Sequence, residues 1–195
     1  MPAGKQYIVI RPAVWIVLAF ALIIIPAGWI AAWILAVSAH ELGHILACKF
    51  CNVRIHRIEV DLRGARIHTE GMSCGKQIIC SFAGPFCGCC LILLLKWYPK
   101  VALCVLIQTI YNLLPIQGTD GGCILQTGML LLLGDEKGSQ VFAIIEKFTR
   151  ALLFVLLFYI AVKWSFGALL FFLSMQRLRK VGTKIPCKRR ALRVQ

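Results

Sequence analysis

Within an apolar stretch, His40-Glu41-Leu42-Gly43-His44 brings together side chains able to do hydrolytic chemistry. Positions four apart on an α-helix are rotated by only about 40°, so both imidazoles leave one face and can share a metal ion. Glu41 lies between them, where a carboxylate can take a proton from water attacking a carbonyl and pass it to a leaving amine. Charged groups at membrane depth cost roughly 2.5–3.5 kcal/mol each and are tolerated only where partners or function compensate. These residues read as a zinc hydrolase whose site lies within a bilayer.

Zinc in a hydrolase takes three protein ligands and keeps a fourth position open. Asp120 is the best third candidate. It is the only acid between Glu70 and Asp135, and its neighbours Gly121 and Gly122 let backbone approach an ion. Its alternative role is the N-cap of a helix over residues 123–133. Glu59, Asp61 and Glu70 read as a solvated face, and His56 and His68 as surface residues. Asn112 has two readings: a hydrogen-bond donor to substrate or oxyanion, or a polar link between helices.

The elements that must hold these residues are mostly membrane helices. The chain has 195 residues, 59% of them hydrophobic, against about 45–50% in globular domains. A run without charge from residue 13 to 39 is interrupted by Pro26 and Gly28, so it reads as two helices, 13–25 and 29–50, the second carrying the histidines. Residues 53–69 alternate, with Ile58, Val60 and Leu62 against Glu59 and Asp61, then Ala65 and Ile67 against Arg66 and His68. That period of two predicts a β-hairpin with a turn at Arg63-Gly64. A third helix is expected over 77–97, where Gly84 and Gly88 permit close helix contact. A fourth segment starts near Val101 and breaks in the Asn112–Gly122 region, at Pro115 and Gly118, before a further helical piece over 123–133. Broken backbone at that depth must be buried in protein or line a wet cavity. Residues 135–147 read as polar and interfacial. Residues 151–175 read as a helical hairpin of two short legs interrupted at Lys163-Trp164-Ser165.

The fold class is therefore an all-α polytopic membrane protein of about six transmembrane helices, with a small β-hairpin between the second and third. Residues 1–176 form one transmembrane domain and 177–195 a basic cytoplasmic tail. A net charge of +14 reflects basic residues clustered between apolar runs, which places both termini and the site toward the cytoplasm and leaves Lys96, Lys100 and Lys163 outside. This charge calls for anionic lipid and no nucleic acid. Ten cysteines show no secreted disulfide spacing, and Cys51 and Cys74 are expected to be reduced thiols.

His40-Glu41-Leu42-Gly43-His44 together with Asn112-Leu113-Leu114-Pro115 and Asp120-Gly121-Gly122 resembles the site-2 protease family of intramembrane metalloproteases. Ala83-Gly84-Pro85 resembles a further motif of that family. The order of short helix, metal helix, hairpin and broken fourth segment looks most like the sporulation-type branch, which releases a membrane-held pro-sigma factor. The resemblance runs from about Arg11 to Gly122. It implies His40, His44 and Asp120 as ligands of one zinc ion per chain, Glu41 as catalytic base, and Asn112 as a residue that positions substrate. It also implies a membrane-bound protein substrate, room for a regulatory membrane partner, and a multi-pass place in a bacterial cell membrane. Gly118 stands where the family commonly has a second proline, so a looser loop is expected. Readings from other classes are a metal-ion transporter and an inactive zinc-binding membrane scaffold.

Overall fold

The computed structural model describes residues 7–61, 64–69, 71–94 and 97–163. They form two compact units, one ending at Leu113 and one starting at Leu114.

The first unit runs β1 (Tyr7–Ile10), α1 (Pro12–Ile24), α2 (Ala27–Phe50), β2 (Ile55–Asp61), β3 (Gly64–Thr69), α3 (Cys74–Leu94) and α4 (Pro99–Leu113). Proline sets the first two helix starts. Pro12 occupies the first turn of α1, where its missing N–H is no loss, and Pro26 caps α2 after Ile25 turns extended. The expected break between two helices is present, shifted by two residues at the start of α2. No residue of α1 is buried although the helix is apolar throughout. A helix of that kind needs lipid around it. By length and composition α2 and α3 can cross a membrane; α1, α4 and the second unit's first helix are apolar but shorter.

α2 packs through a stripe of mostly small residues, Ala32, Ala36, His40, Gly43 and Ala47, whose three- and four-residue spacings define one helix face. α4 answers with Cys104, Val105, Gln108 and Thr109. α3 lies against both. A methyl at Gly43 would stand 2.6 Å from the Ala83 carbonyl oxygen, and one at Gly88 would stand 2.7 Å from Thr109 Oγ1. Gly88 thus serves packing inside one chain.

The hairpin is present but belongs to a three-stranded sheet of order β1-β2-β3. β1 pairs parallel with β2, Tyr7 opposite Arg57 through Ile10 opposite Val60. The sequence reading assigns no element to its four residues, because a parallel partner lies a whole helical crossover away. β1 also corrects the reading of Glu59. That residue is not on a solvated face but only 7% exposed. It accepts from Arg11 Nε at 2.8 Å, and Arg57 and His68 stand 3.2 and 3.5 Å from its other oxygen. Cys51 is a free thiol, whereas Cys74 is disulfide-bonded, against the expectation of a reduced thiol there.

The second unit holds α5 (Asp120–Leu133) and α6 (Asp135–Lys163). The segment expected to be interfacial, 135–147, is the start of α6. The first expected leg after 151 continues that same helix, and the second lies outside the described residues, as do Arg63, Glu70, Lys96 and the basic tail. A methyl at Gly138 would meet the Met129 carbonyl oxygen at 2.5 Å, which fixes how closely α6 turns back on α5.

The Arg11 hydrogen bond and charge hold the Glu59 carboxyl below the ordinary carboxylate range, against burial, which pushes it up. A lowered folded-state pKa contributes stability that is complete above the unfolded value near ~4.3 and is lost as pH falls through the lower folded value. Hydrogen-exchange protection factors of the Tyr7–Ile10 amides should stay level from pH 8 to 5 and collapse in stronger acid. In Glu59→Gln they should already be low at neutral pH.

Candidate metal centre

The first unit aims the two imidazoles of α2 at one point. His40 is 3% exposed, and its ring stands edge-on to that of His44 with centroids 4.8 Å apart. The two Nε2 atoms are 3.2 Å apart. Neighbours decide where the ring protons lie. His44 Nδ1 is 2.7 Å from the Cys80 carbonyl oxygen. A carbonyl only accepts, so Nδ1 carries the proton and Nε2 keeps its lone pair. Asn112 Nδ2 is 3.2 Å from His40 Nε2. An amide nitrogen only donates, so this Nε2 accepts too.

The two Nε2 atoms lie close enough, at 3.2 Å, to share one cation. Zinc–imidazole bonds of 2.0–2.1 Å at a tetrahedral angle put the two nitrogens roughly 3.3–3.4 Å apart. The spacing therefore fits one zinc ion on both rings. The bond from His44 to a backbone carbonyl is the outer-shell contact that fixes a metal-binding imidazole.

α3 supplies that contact and the room for the rings. A methyl at Gly84 would lie 2.3 Å from His44 Nε2 and 2.9 Å from His40 Cε1, so only glycine leaves space for both imidazoles. Pro85, inside the helix, has no N–H for the Ser81 carbonyl and crowds it, which loosens the ladder beside Cys80. The sequence reads Gly84 as a helix-contact residue and, within Ala83-Gly84-Pro85, as part of a motif resembling one of the site-2 protease family, without showing what it makes room for. A Gly-Pro pair inside an apolar helix was the signal that backbone here has a special neighbour.

In the second unit, residues 114–119 form a compact turn leading into α5. Thr119 Oγ1 accepts from the Gly122 amide at 3.1 Å and lies within 2.7 Å of the Leu114 and Ile116 carbonyl oxygens. Thr119, not Asp120, is the N-cap, and Asp120 is the first residue of the helix. An acid in a first turn is favoured by the helix dipole. Gly118 turns at φ +92°, and a methyl at Gly122 would collide with the Ile116 carbonyl. Glu146 of α6 accepts from the Gln117 amide at 2.8 Å and pairs with Arg150. The proline absent at Gly118 is thus offset by side-chain bonds, and the loop is braced rather than loose. His40 and His44 in the first unit and Asp120 in the second are each of a residue type that can ligate a metal ion.

Gly84→Ala should lower zinc affinity by about 10–100-fold, the range for lost outer-shell support, as read by metal content after dialysis against a weak chelator. Gly128→Ala, where a methyl meets nothing within 4 Å, should keep full zinc.

The family model described as Peptidase M50B-like matches residues 13–116, a span that includes His40, Glu41, His44 and Asn112. Among curated proteins none matches the chain. Among solved structures, the site-2 protease from Methanocaldococcus jannaschii is similar over 88% of this chain and 88% of its own, with a TM-score of 0.59 and 20% identity, which establishes a shared fold. Matched over more than half its length, this chain belongs to the Peptidase M50B-like family, the site-2 protease family of membrane metalloproteases.

Proposed function

We propose that this chain is an intramembrane zinc endopeptidase cutting a membrane-spanning or membrane-associated protein near the cytoplasmic face, with release of a transcription regulator as its biological output. His40, His44 and Asp120 hold the zinc, and Glu41 is the base. One observation carries this reading: the Nε2 atoms of two imidazoles converge at 3.2 Å on an apolar helix of a metalloprotease-family chain. The order of helix, metal helix, sheet and broken segment supports a sporulation-type role. The basic residues between apolar runs support a six-span topology with the site toward the cytoplasm.

Zinc supplies Lewis acidity, making water more acidic and drawing electron density from a peptide carbonyl. Glu41, one residue past His40, is half-buried. It takes the proton of the attacking water and returns one to the departing amine. Asn112 stands at the His40 nitrogen and offers its amide to the substrate carbonyl. α3 holds the His44 ring through the Cys80 carbonyl and keeps Nε2 unprotonated.

A helical peptide bond is shielded by its own hydrogen bonds, so substrate must be extended before it is cut. β2 has partners on both sides, which leaves the outer edges of β3 and β1 for strand addition. Prolines at outward-facing N–H positions of β3 should slow cleavage several-fold with zinc content intact. Unchanged turnover would remove the sheet from substrate handling.

Glu41→Gln should keep one zinc per chain and lose roughly 10²–10⁴ of the cleavage rate on transmembrane peptides, the usual share of a general base. Asp120→Asn should lose the metal itself. A transporter would instead move zinc across vesicles with Glu41→Gln unimpaired, and a scaffold would show no cleavage in the wild type.

A further inference from the structure

A second concave feature lies in the first unit, five to twelve residues before His40 along α2. It is a groove of about 320 Å³ between the first turns of α2 and the start of α4, lined by Gly28, Ala31 and Leu35 on one side and Tyr98, Lys100 and Val101 on the other. All but one of these contacts are apolar or aromatic. The exception is Lys100, whose Nζ lies 5.7 Å from the centre of the Trp29 ring and closes over Gly28. We propose that this groove binds an anionic phospholipid, with one acyl chain along the groove and the phosphate on Lys100.

Dimensions select the chain. From Gly28 to Leu35 α2 rises by roughly 10 Å. A shallow apolar groove of that length, with Gly28, Ala31 and Leu35 exposed along one wall, suits one extended hydrocarbon chain lying along it.

Depth and charge select the headgroup. Trp97 and Tyr98 are 79% and 64% exposed, and with Trp29 they place this end of the helices at headgroup level. Among the described residues no carboxylate pairs with Lys100, and no acidic residue occurs from 13 to 39. The α4 amides of Val101 and Ala102 are both taken by the Tyr98 carbonyl, so the attraction rests on Lys100 alone. A zwitterionic lipid brings its own cation to that lysine; an anionic one does not. The occupant would tie α2 to α4 directly beside Ala32, Ala36, Cys104 and Val105, the cluster where these two helices already meet.

The test is native mass spectrometry of the full chain released from bilayers containing equal phosphatidylglycerol and phosphatidylcholine with the same acyl chains. The wild type should retain one lipid with roughly tenfold preference for phosphatidylglycerol, the worth of one charge-assisted contact. Lys100→Gln should bring that preference to parity. Ala31→Trp, which fills the groove without changing charge, should lose both lipids, with the melting temperature in detergent reporting that each variant is folded. Equal retention of the two lipids by the wild type, an unchanged preference in Lys100→Gln, or undiminished lipid in folded Ala31→Trp would each overturn the proposal.

Discussion

Everything at the candidate centre depends on how closely α3 approaches α2. At Gly43 and Gly84 the two backbones come so near that a methyl on either would collide, at 2.6 Å with a carbonyl oxygen in one case and 2.3 Å with an imidazole nitrogen in the other. In lipid there is little hydrophobic force between helices, so small residues that permit such approach carry the association. The same approach puts the Cys80 carbonyl 2.7 Å from His44 Nδ1. One packing contact thereby fixes helix position, ring orientation and ring tautomer together.

The loop that presents Asp120 solves a different problem with the same economy of parts. Breaking a helix in an apolar setting leaves backbone groups that need partners. Thr119 meets several of them at once, and Glu146 takes the Gln117 amide. Thr119 is the cap, and Asp120 is the first residue of the helix rather than its cap. The sheet is a third support. Glu59, buried among Arg11, Arg57 and His68, ties the entry to α1 back onto β2, so the strand before the first helix and the hairpin after the second are one object.

Much of this was legible in the residues. His40 and His44 lie on one helix face because helical geometry allows nothing else for that spacing, and Pro26 divided α1 from α2 as its chemistry requires. The alternation over 53–69 gave two strands. What stayed hidden was long-range. β1 needed knowledge of a parallel partner nearly fifty residues away. The cap passed from Asp120 to Thr119 because both are good caps and only the path of the chain chooses between them. Glu59 looked solvated because alternation cannot see an arginine arriving from the α1 N-cap, just past β1. Gly84-Pro85 marked unusual backbone, but no local pattern names a pair of imidazoles as its neighbour.

The most direct measurement is zinc K-edge X-ray absorption on the purified full chain. Two imidazole nitrogens and oxygen donors at about 2.0–2.2 Å, with no sulfur, are the expected shell. A protein that purifies and folds without zinc, or one whose zinc shows sulfur neighbours at about 2.3 Å from the buried thiols of Cys48 and Cys80, would contradict a metal centre built on His40 and His44.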